Sequence, residues 1–359
     1  MNFNKYYFEN YPIDTPFDGN NPRYVLAQDG IDVILEKIVM SSPYSISKDY
    51  FENSTLVDAL LHVEVLQEKN GKLGMAVPFF LKQDTTILKE LSKNVASSIV
   101  NKLLEQKEKI TEIIEKIDNG YACDRNLYHI LCGYIFDGLM FDFLEENQLV
   151  TTSLVHDTGL DYLVIIYEDV DELNEYSDNL LCSYNRLVVN GKGFVSFGDS
   201  AGNRKDFYRY MRLKELDKLT EPERRIVNFK PEELVNNFVK ILEKQHVEEQ
   251  YIEAYEYFGY YKNGQIMVPI YDKNSYKVAE ELYKYVLLIT KNEIIDALSA
   301  IQKNGDLTAI RQGVEVKDIA NEIYHLIFGE VNELLVQSGM VAKSLQIIGE
   351  GRYLKSFQW

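Results

Sequence analysis

A short string that returns almost unchanged in the second half of the chain constrains the fold more than any other feature. KNGKLGMAVPFF (69–80) and KNGQIMVPIY (262–271) each contain an Asn-Gly pair, a short strand and a Val-Pro pair. Asn-Gly between strand-like residues is typical of a β-hairpin with a type I′ turn, because both turn residues tolerate positive φ. The sequence therefore predicts two hairpins, with turns at Lys69-Asn70-Gly71 and Lys262-Asn263-Gly264.

The similarity between the two halves continues beyond the hairpins. The Val-Pro pairs at 77–78 and 268–269 are 191 positions apart (268 − 77). Further matches follow in the same order: ELSKNV (90–95) with ELYKYV (281–286), NLYHILCG (126–133) with EIYHLIFG (322–329), and TGLDYLVIIY (158–167) with EGRYLKSFQW (350–359). Matches this far apart predict an internal duplication of one large unit rather than a solenoid of short repeats.

Each copy has the pattern of short helices, a hairpin and a long helix. A helical stripe precedes the first hairpin at Ile31, Ile34, Leu35, Ile38 and Val39. We therefore predict an α+β, mainly helical chain with an internal duplication of a winged-helix-like unit followed by long helices. The predicted boundaries are an N-terminal arm (1–21), a first repeat (22–170), an insert with a third hairpin and a basic segment (171–221), and a second repeat (222–359).

The charge of the chain argues against a general affinity for nucleic acid. The chain has 38 Lys and Arg against 56 Asp and Glu, which gives a net charge of −18 and repels phosphate backbones. No stretch has the length and apolar content of a membrane span, so we expect no membrane association. Three cysteines, Cys123, Cys132 and Cys182, have no CxxC spacing, which favours free thiols and a cytoplasmic location.

Motifs that suggest catalysis fail on inspection. Asp157-Thr158-Gly159 resembles an aspartic-protease tripeptide, but the second copy has Gly349-Glu350-Gly351, with no aspartate to share a proton. The string NGKGFVSFG (190–198) meets neither the Walker nor the dinucleotide pattern. His129 and His325 occupy equivalent positions, and we predict buried helical histidines rather than metal ligands. The sequence thus predicts no catalytic residue, no cofactor and no metal.

The helix before a winged-helix hairpin normally reads DNA through basic side chains. Here the segments TLVDALLHVEVLQ (55–67) and QYIEAYEYFGYY (250–261) contain no Lys or Arg. The wing lysines Lys69, Lys72 and Lys262 and the segment 204–225 are the remaining basic candidates, so nucleic-acid binding is expected only weakly through them.

The second of these helices is rich in tyrosine. Tyr251, Tyr255 and Phe258 fall on one core stripe, which directs three other rings elsewhere: Tyr257, Tyr260 and Tyr261. Exposed tyrosines are common anchors for protein partners. We predict these three as interaction residues. An alternative is that the aromatic N-terminal arm, which contains Tyr6, Tyr7, Phe8 and Tyr11, covers them within the molecule.

The duplicated KNG…VP hairpins and the non-basic helices before them resemble tandem winged-helix proteins. Among these are the KITE-type accessory subunits of SMC chromosome-organising and plasmid-defence complexes. The resemblance implies a non-enzymatic scaffold protein that binds protein partners. The alternative is a DNA-binding transcriptional regulator, and the least favoured is a hydrolase built on His129 and His156. The sequence leaves the oligomeric state open.

Overall fold

The computed structural model describes residues 1–12, 15–52, 54–174, 182–199, 204–212, 219–303, 305–342, 344–347 and 351–359. The chain is α+β and mainly helical, as predicted. It divides into two compact units, each built from three segments. Unit 1 contains Met1–Ile99, Phe141–Leu180 and Lys291–Glu330, and unit 2 contains Val100–Met140, Leu181–Thr290 and Val331–Trp359.

Helices and strands of the described residues are labelled in chain order. The helices are α1 (Pro22–Leu26), α2 (Ile31–Val39), α3 (Ser54–His62), α4 (Thr85–Glu105), α5 (Lys107–Ile114), α6 (Cys123–Leu127), α7 (Met140–Glu146), α8 (Phe207–Arg212), α9 (Glu221–Val227), α10 (Pro231–Leu242), α11 (Glu249–Tyr257), α12 (Lys273–Lys303), α13 (Thr308–Arg311) and α14 (Val316–Gln337). The strands are β1 (Phe3–Glu9), β2 (Leu66–Lys69), β3 (Lys72–Met75), β4 (Phe79–Phe80), β5 (Tyr162–Glu168), β6 (Cys182–Val189), β7 (Lys192–Asp199), β8 (Tyr261–Lys262), β9 (Gln265–Ile266), β10 (Ile270–Tyr271), β11 (Gln346–Ile347) and β12 (Gly351–Gln358).

Unit 1 contains a three-stranded sheet with the order β1-β5-β4. β5 pairs antiparallel with β1 and parallel with β4. A parallel pair needs a long connection, and the chain between β4 and β5 supplies it as several helices. The stripe predicted for α2 is buried throughout, at Ile31, Ile34, Leu35, Ile38 and Val39.

The helix–hairpin segment of unit 1 lies between α2 and β4. A single 3₁₀ turn (Lys48–Tyr50) and α3 precede the β2–β3 hairpin. Ile46 forms an antiparallel bridge with Leu73 and so adds a third strand position beside β3.

Unit 2 contains a larger sheet with the order β10-β12-β7-β6, and β11 pairs with β12. β12 pairs parallel with β10 and antiparallel with β7, while β6 and β7 form the third Asn-Gly hairpin. The β8–β9 hairpin follows α11.

The compact units differ from the contiguous domains predicted from the sequence. Residues 3–9 of the predicted arm form a strand of the unit 1 sheet, and the predicted insert supplies β6 and β7 to the unit 2 sheet. Parts of that insert, residues 175–181, 200–203 and 213–218, lie outside the described residues. Pairing between strands distant in sequence decides the units, and local patterns do not report it.

One helical stretch of the described residues, Cys123–Glu146, is long and apolar enough by composition to cross a membrane, and its most apolar window of 18 residues has a mean hydropathy of 1.3. Of that window, 67% is buried inside the structure. Its centre, Tyr128–Leu139, is a π-helix, a rare conformation that often marks functional sites. The burial is typical of a core helix, which explains the hydropathy of this stretch.

Candidate interaction surfaces

The structure forms a hairpin at each Asn-Gly pair. Asn70 and Gly71 have φ of 54° and 74°, and Asn263 and Gly264 have φ of 49° and 81°. Positive φ at both positions is what a type I′ turn requires. Lys69 lies opposite Lys72 and Lys262 lies opposite Gln265. Both turns are exposed.

Two lysines at or near the first hairpin, Lys69 and Lys48, have partners within unit 1. The Lys69 ammonium lies 4.6 Å from the centre of the Tyr44 ring, and Lys48 forms an ion pair with Asp58 of α3. On the same helix His62 Nε2 lies 2.8 Å from the Asn20 side-chain oxygen. This surface is therefore mixed in charge rather than basic.

The predicted exposure of Tyr260 is wrong. Tyr251, Tyr255 and Phe258 are buried as predicted, but Tyr260 is also fully buried. Gly259 ends the helix with a φ of 69°, so the chain turns back and helical spacing no longer applies. The Tyr260 ring then packs between Phe194 and Phe207, at centroid distances of 4.8 Å and 5.3 Å.

Tyr257 is half-buried and anchors α11 to a neighbouring helix. Its hydroxyl donates a hydrogen bond of 2.7 Å to Glu223 Oε1, and Lys205 Nζ lies 4.7 Å from its ring centre. Burial alone would raise the pKa of Glu223, but hydrogen bonds from Tyr257, Thr220 and Tyr210 lower it to about 2. Tyr257 thus connects α11 to α9 within the unit, and this contact does not favour a role in binding a partner.

Tyr261 keeps its role as a candidate, although it is half-buried like Ile266 in the same hairpin. Tyr261 and Ile266 are cross-strand neighbours in the β8–β9 hairpin, and Met267 follows with 45% of its surface exposed. We call Tyr261, Ile266 and Met267 the hairpin patch. The Asn263 amide donates a hydrogen bond of 3.2 Å to Glu256 Oε1, which ties the turn to α11.

The helix beside the hairpin patch is acidic on its solvent face. Glu249, Glu253 and Glu256 are exposed, and the nine residues Glu249–Tyr257 contain no Lys or Arg. A helix of this charge repels phosphate, whereas an apolar patch next to carboxylates suits a protein surface with basic groups.

The aromatic arm lies in unit 1, where its rings have other contacts. Tyr6 packs edge-on against Tyr167 at 5.6 Å, and Phe8 stacks on His325 at 4.4 Å. These residues belong to strand β1, and their contacts do not favour the alternative that the arm covers the tyrosines of α11.

The basic segment 204–225 begins with a residue that solvent does not reach. The Arg204 side chain is fully buried in unit 2. Its Nη1 donates hydrogen bonds of 3.0 Å to the carbonyls of Ser183 and Gly198, and its Nε lies 3.4 Å from Asp206 Oδ2. Arg204 is therefore structural. Arg224 and Arg225 are the exposed cations of this segment among the residues described.

His129 and His325 are buried and uncharged at neutral pH. Burial lowers the pKa of each to about 3. In unit 2, His129 stacks on Tyr271 at 5.0 Å. In unit 1, His325 Nδ1 lies 3.1 Å from the carbonyl of Asn321. No group of three or more His, Cys, Asp or Glu residues in the described part of the chain is arranged to hold a metal ion.

His129 also contacts a serine, which is the arrangement of a nucleophile and its base. Its Nε2 lies 2.7 Å from Ser356 Oγ, but both side chains are buried, and a histidine with a pKa near 3 is a weak base.

Cys132 lies three residues after His129, a spacing suited to helical metal ligands, but burial raises the pKa of its thiol well above the usual value. His156 is also buried, with Nε2 2.8 Å from the carbonyl of Tyr162. None of these arrangements favours hydrolysis.

Glu322 is a buried carboxyl that sequence reasoning missed. It lies on α14, and its Oε1 accepts a hydrogen bond of 2.6 Å from the Tyr167 hydroxyl in unit 1. Burial raises its pKa to about 8. In unit 2, α6 carries Asn126, whose side-chain oxygen accepts a hydrogen bond of 2.8 Å from the Tyr271 hydroxyl. Both positions therefore hold a neutral acceptor for a tyrosine at pH 7.

Compared with protein-family models, curated proteins and solved structures, the chain shows no match to any of them.

Proposed function

We propose that this chain is a non-enzymatic protein-interaction module built from two winged-helix-like repeats, and that it scaffolds a protein complex in the cytoplasm. The observation that carries the proposal is the partly exposed hairpin patch beside the acidic face of α11. A winged helix that reads DNA places basic side chains there. Here the same position offers Tyr261, Ile266 and Met267 next to carboxylates.

The winged-helix part of the proposal rests on the order of elements in unit 1. α2, the strand position at Ile46, a 3₁₀ turn, α3 and the β2–β3 hairpin follow each other as they do in a winged helix. The second copy has α10, α11 and the β8–β9 hairpin, with shorter strands and no described helix between α10 and α11. It corresponds to a reduced version of the same unit.

Strand pairing supports the duplication. β4 pairs with β5 at Phe79↔Ile166, and β10 pairs with β12 at Ile270↔Phe357. Both members of the second pair are 191 positions after those of the first. The proline carbonyl before each short strand accepts the matching amide, from Ile166 to Pro78 and from Phe357 to Pro269, at 3.0 Å in both cases.

The resemblance to KITE-type accessory subunits gives the proposal its context. Those proteins serve SMC chromosome-organising and plasmid-defence complexes, so we propose an accessory role of that kind. The second candidate is a DNA-binding regulator, which would use Arg224 and Arg225 on the exposed side of α9.

Titration of labelled duplex DNA of mixed sequence separates the two functions. At about 50 mM salt even non-specific binding through a few phosphate contacts is measurable. The proposal predicts no change in fluorescence anisotropy up to micromolar protein for the wild-type chain, and the same for the Arg224→Glu, Arg225→Glu variant. Binding by the wild type that falls steeply with salt and disappears in the charge-reversed variant would replace the scaffold with the regulator.

A further inference from the structure

The face of α2 opposite its buried stripe is apolar and open to solvent. Val33 and Met40 have 68% and 63% of their surface exposed, and Tyr50, in the turn after the helix, has 58%. These three are among the most exposed large apolar side chains of the described residues. Single exposed apolar residues are common on folded proteins, whereas a contiguous group of them marks an interaction site.

The three apolar side chains form one surface because Lys37 lies between them. Val33, Lys37 and Met40 follow the spacing i, i+4 and i+7, and Met40 keeps helical backbone angles, so the three lie in one row along α2. The Lys37 ammonium lies 4.9 Å from the centre of the Tyr50 ring, and the methylene stem of a lysine adds apolar surface. We call this group the α2 patch: Val33, Lys37, Met40 and Tyr50.

The two carboxylates of α2 are paired with residues at the start of the chain. Asp32 forms an ion pair with Lys5, and Glu36 Oε2 lies 2.6 Å from the Met1 amine. Both carboxylates are half-buried. They therefore add little net charge to the α2 patch.

The exposed charges around the α2 patch are mainly acidic. Asp29 lies just before the helix, Asp49 and Glu52 lie on either side of Tyr50 in the chain, and all three side chains are exposed. Lys48, the cation next to Asp49, forms an ion pair with Asp58 of α3. The three exposed carboxylates give the rim of the patch a negative charge that solvent reaches.

We propose that the α2 patch binds an amphipathic helix of a partner protein that carries Lys or Arg beside its apolar stripe. Val33 and Met40 are two helical turns apart, about 10 Å along the axis. Apolar residues at i, i+4 and i+7 of a second helix have the same spacing, so such a helix can lie along α2. Its basic residues then meet the acidic rim, which favours association. Anionic membranes and nucleic acids are repelled by that rim.

The α2 patch lies in unit 1, whereas the hairpin patch lies in unit 2. The inference therefore goes beyond the proposed function and does not rest on it. A protein that binds at Tyr50 is expected to differ from one that binds at Tyr261, so the failure of one surface leaves the other unaffected.

Selection from a displayed peptide library, with the full chain as the target, tests the inference. Each peptide is an alanine-based helix with Leu at i, i+4 and i+7 and with randomised residues beside the leucines. We expect Lys and Arg to be enriched over Asp and Glu among the selected peptides. Fluorescence anisotropy should show that these peptides bind the Val33→Ser, Met40→Ser variant at least about tenfold more weakly than the wild type.

Two further variants separate the apolar contacts from the charged ones. Leu154→Ser, Val155→Ser is the matched control, because these apolar residues of unit 1 are also exposed but are not part of the patch. It should bind the selected peptides as the wild type does. Asp49→Asn, Glu52→Gln keeps every apolar residue of the patch and should weaken binding several-fold at low salt, with a smaller effect at high salt.

Three results would overturn the proposal. The first is a selection that enriches no peptide, or that enriches peptides without an excess of Lys and Arg. The second is equal binding of the selected peptides to the wild type and to the Val33→Ser, Met40→Ser variant. The third is self-association of the wild type, or its binding to vesicles of anionic lipid, that the same variant abolishes, because the face then belongs to a second copy or to a membrane.

Discussion

At pH 7 the Glu322→Gln variant is expected to be more stable than the wild type, with a free energy of unfolding about 2–3 kcal/mol higher. Burial raises the pKa of Glu322 to about 8, whereas the ordinary value is 4.5. The unfolded chain therefore gains by releasing the proton at neutral pH, and the folded chain does not. At pH 7 the difference amounts to 2.5 pH units (7 − 4.5), each worth about 1.4 kcal/mol. We expect less than this full value because glutamine places an amide nitrogen at the buried Oε2 position, which has no hydrogen-bond partner among the described residues.

The direction of the change in stability with pH follows from the pKa of Glu322 in the folded and unfolded states. Below pH 4.5 the carboxyl is protonated in both states and contributes nothing to the pH dependence. Between pH 4.5 and about 8 only the unfolded state loses its proton, so the stability of the wild type falls as the pH rises. Above about 8 both states are ionised and the penalty is constant. A glutamine keeps the acceptor for Tyr167 without this penalty.

Urea denaturation of both proteins between pH 5 and 9 measures the effect. The difference between variant and wild type should grow from pH 5 to about 8 and then level off. The matched control is Glu68→Gln, at an exposed glutamate of the β2–β3 hairpin, which should change stability by less than about 0.5 kcal/mol. A Glu322→Gln variant with the stability and the pH profile of the wild type would show that Glu322 is ionised in the folded state.

The Arg204→Met variant is expected to lose about 3–5 kcal/mol of folding free energy. Methionine fills much of the space of the arginine stem, but it leaves the carbonyls of Ser183 and Gly198 without their donor. It also leaves the Asp206 carboxylate buried without the guanidinium that lies 3.4 Å away. Removal of one partner from a buried ion pair is strongly destabilising because the remaining charge is not compensated.

Arg224→Met is the control for Arg204→Met. Arg224 lies in the same basic segment but is exposed, and its Nε donates one hydrogen bond of 3.0 Å to the Leu219 carbonyl. Its replacement should lower the free energy of unfolding by less than about 1 kcal/mol. If thermal and urea denaturation show the same small loss for both variants, Arg204 does not carry the structural role assigned to it.

Local signals in the sequence predicted the local structure well. Asn-Gly pairs with positive φ mark the three hairpins among the described residues, and the stripes of α2 and α11 are buried as their spacing indicates. The long helices after the hairpins, α4 and α12, are also present. These features depend on neighbours within a few turns of chain, which is the range that periodicity reports.

The sequence patterns did not predict features that depend on pairing between strands far apart in the chain. The predicted arm forms β1, because its aromatic residues favour a strand and it can pair with β5. The predicted insert likewise contributes β7, which pairs with β12. The match proposed for the final strands, 158–167 with 350–359, differs by one position from the hydrogen-bond register. One residue of shift exchanges the two faces of a strand, and apolar content alone does not fix it.

The candidate surface was predicted in part. Tyr261 is half-buried beside the exposed Met267, but helical spacing failed for Tyr260 because Gly259 ends the helix before it. Ile266 and Met267 were not identified, although the place of Ile266 opposite Tyr261 follows from the hairpin that the sequence predicted. The sequence did not single out Glu322, because a glutamate next to apolar residues is common on a helix. Its burial depends on the packing around α14, which the sequence pattern does not show.

Site-specific photo-crosslinking in living cells tests the central claim, that the hairpin patch binds a protein. A photoreactive phenylalanine analogue replaces Tyr261, and the same analogue at Tyr50, a tyrosine of unit 1 that is 58% exposed, is the control. We expect a discrete protein adduct from position 261 that is absent from position 50 and is lost when Met267 and Ile266 are also changed to Ser. No adduct at position 261, or the same adducts from both positions, would contradict the account.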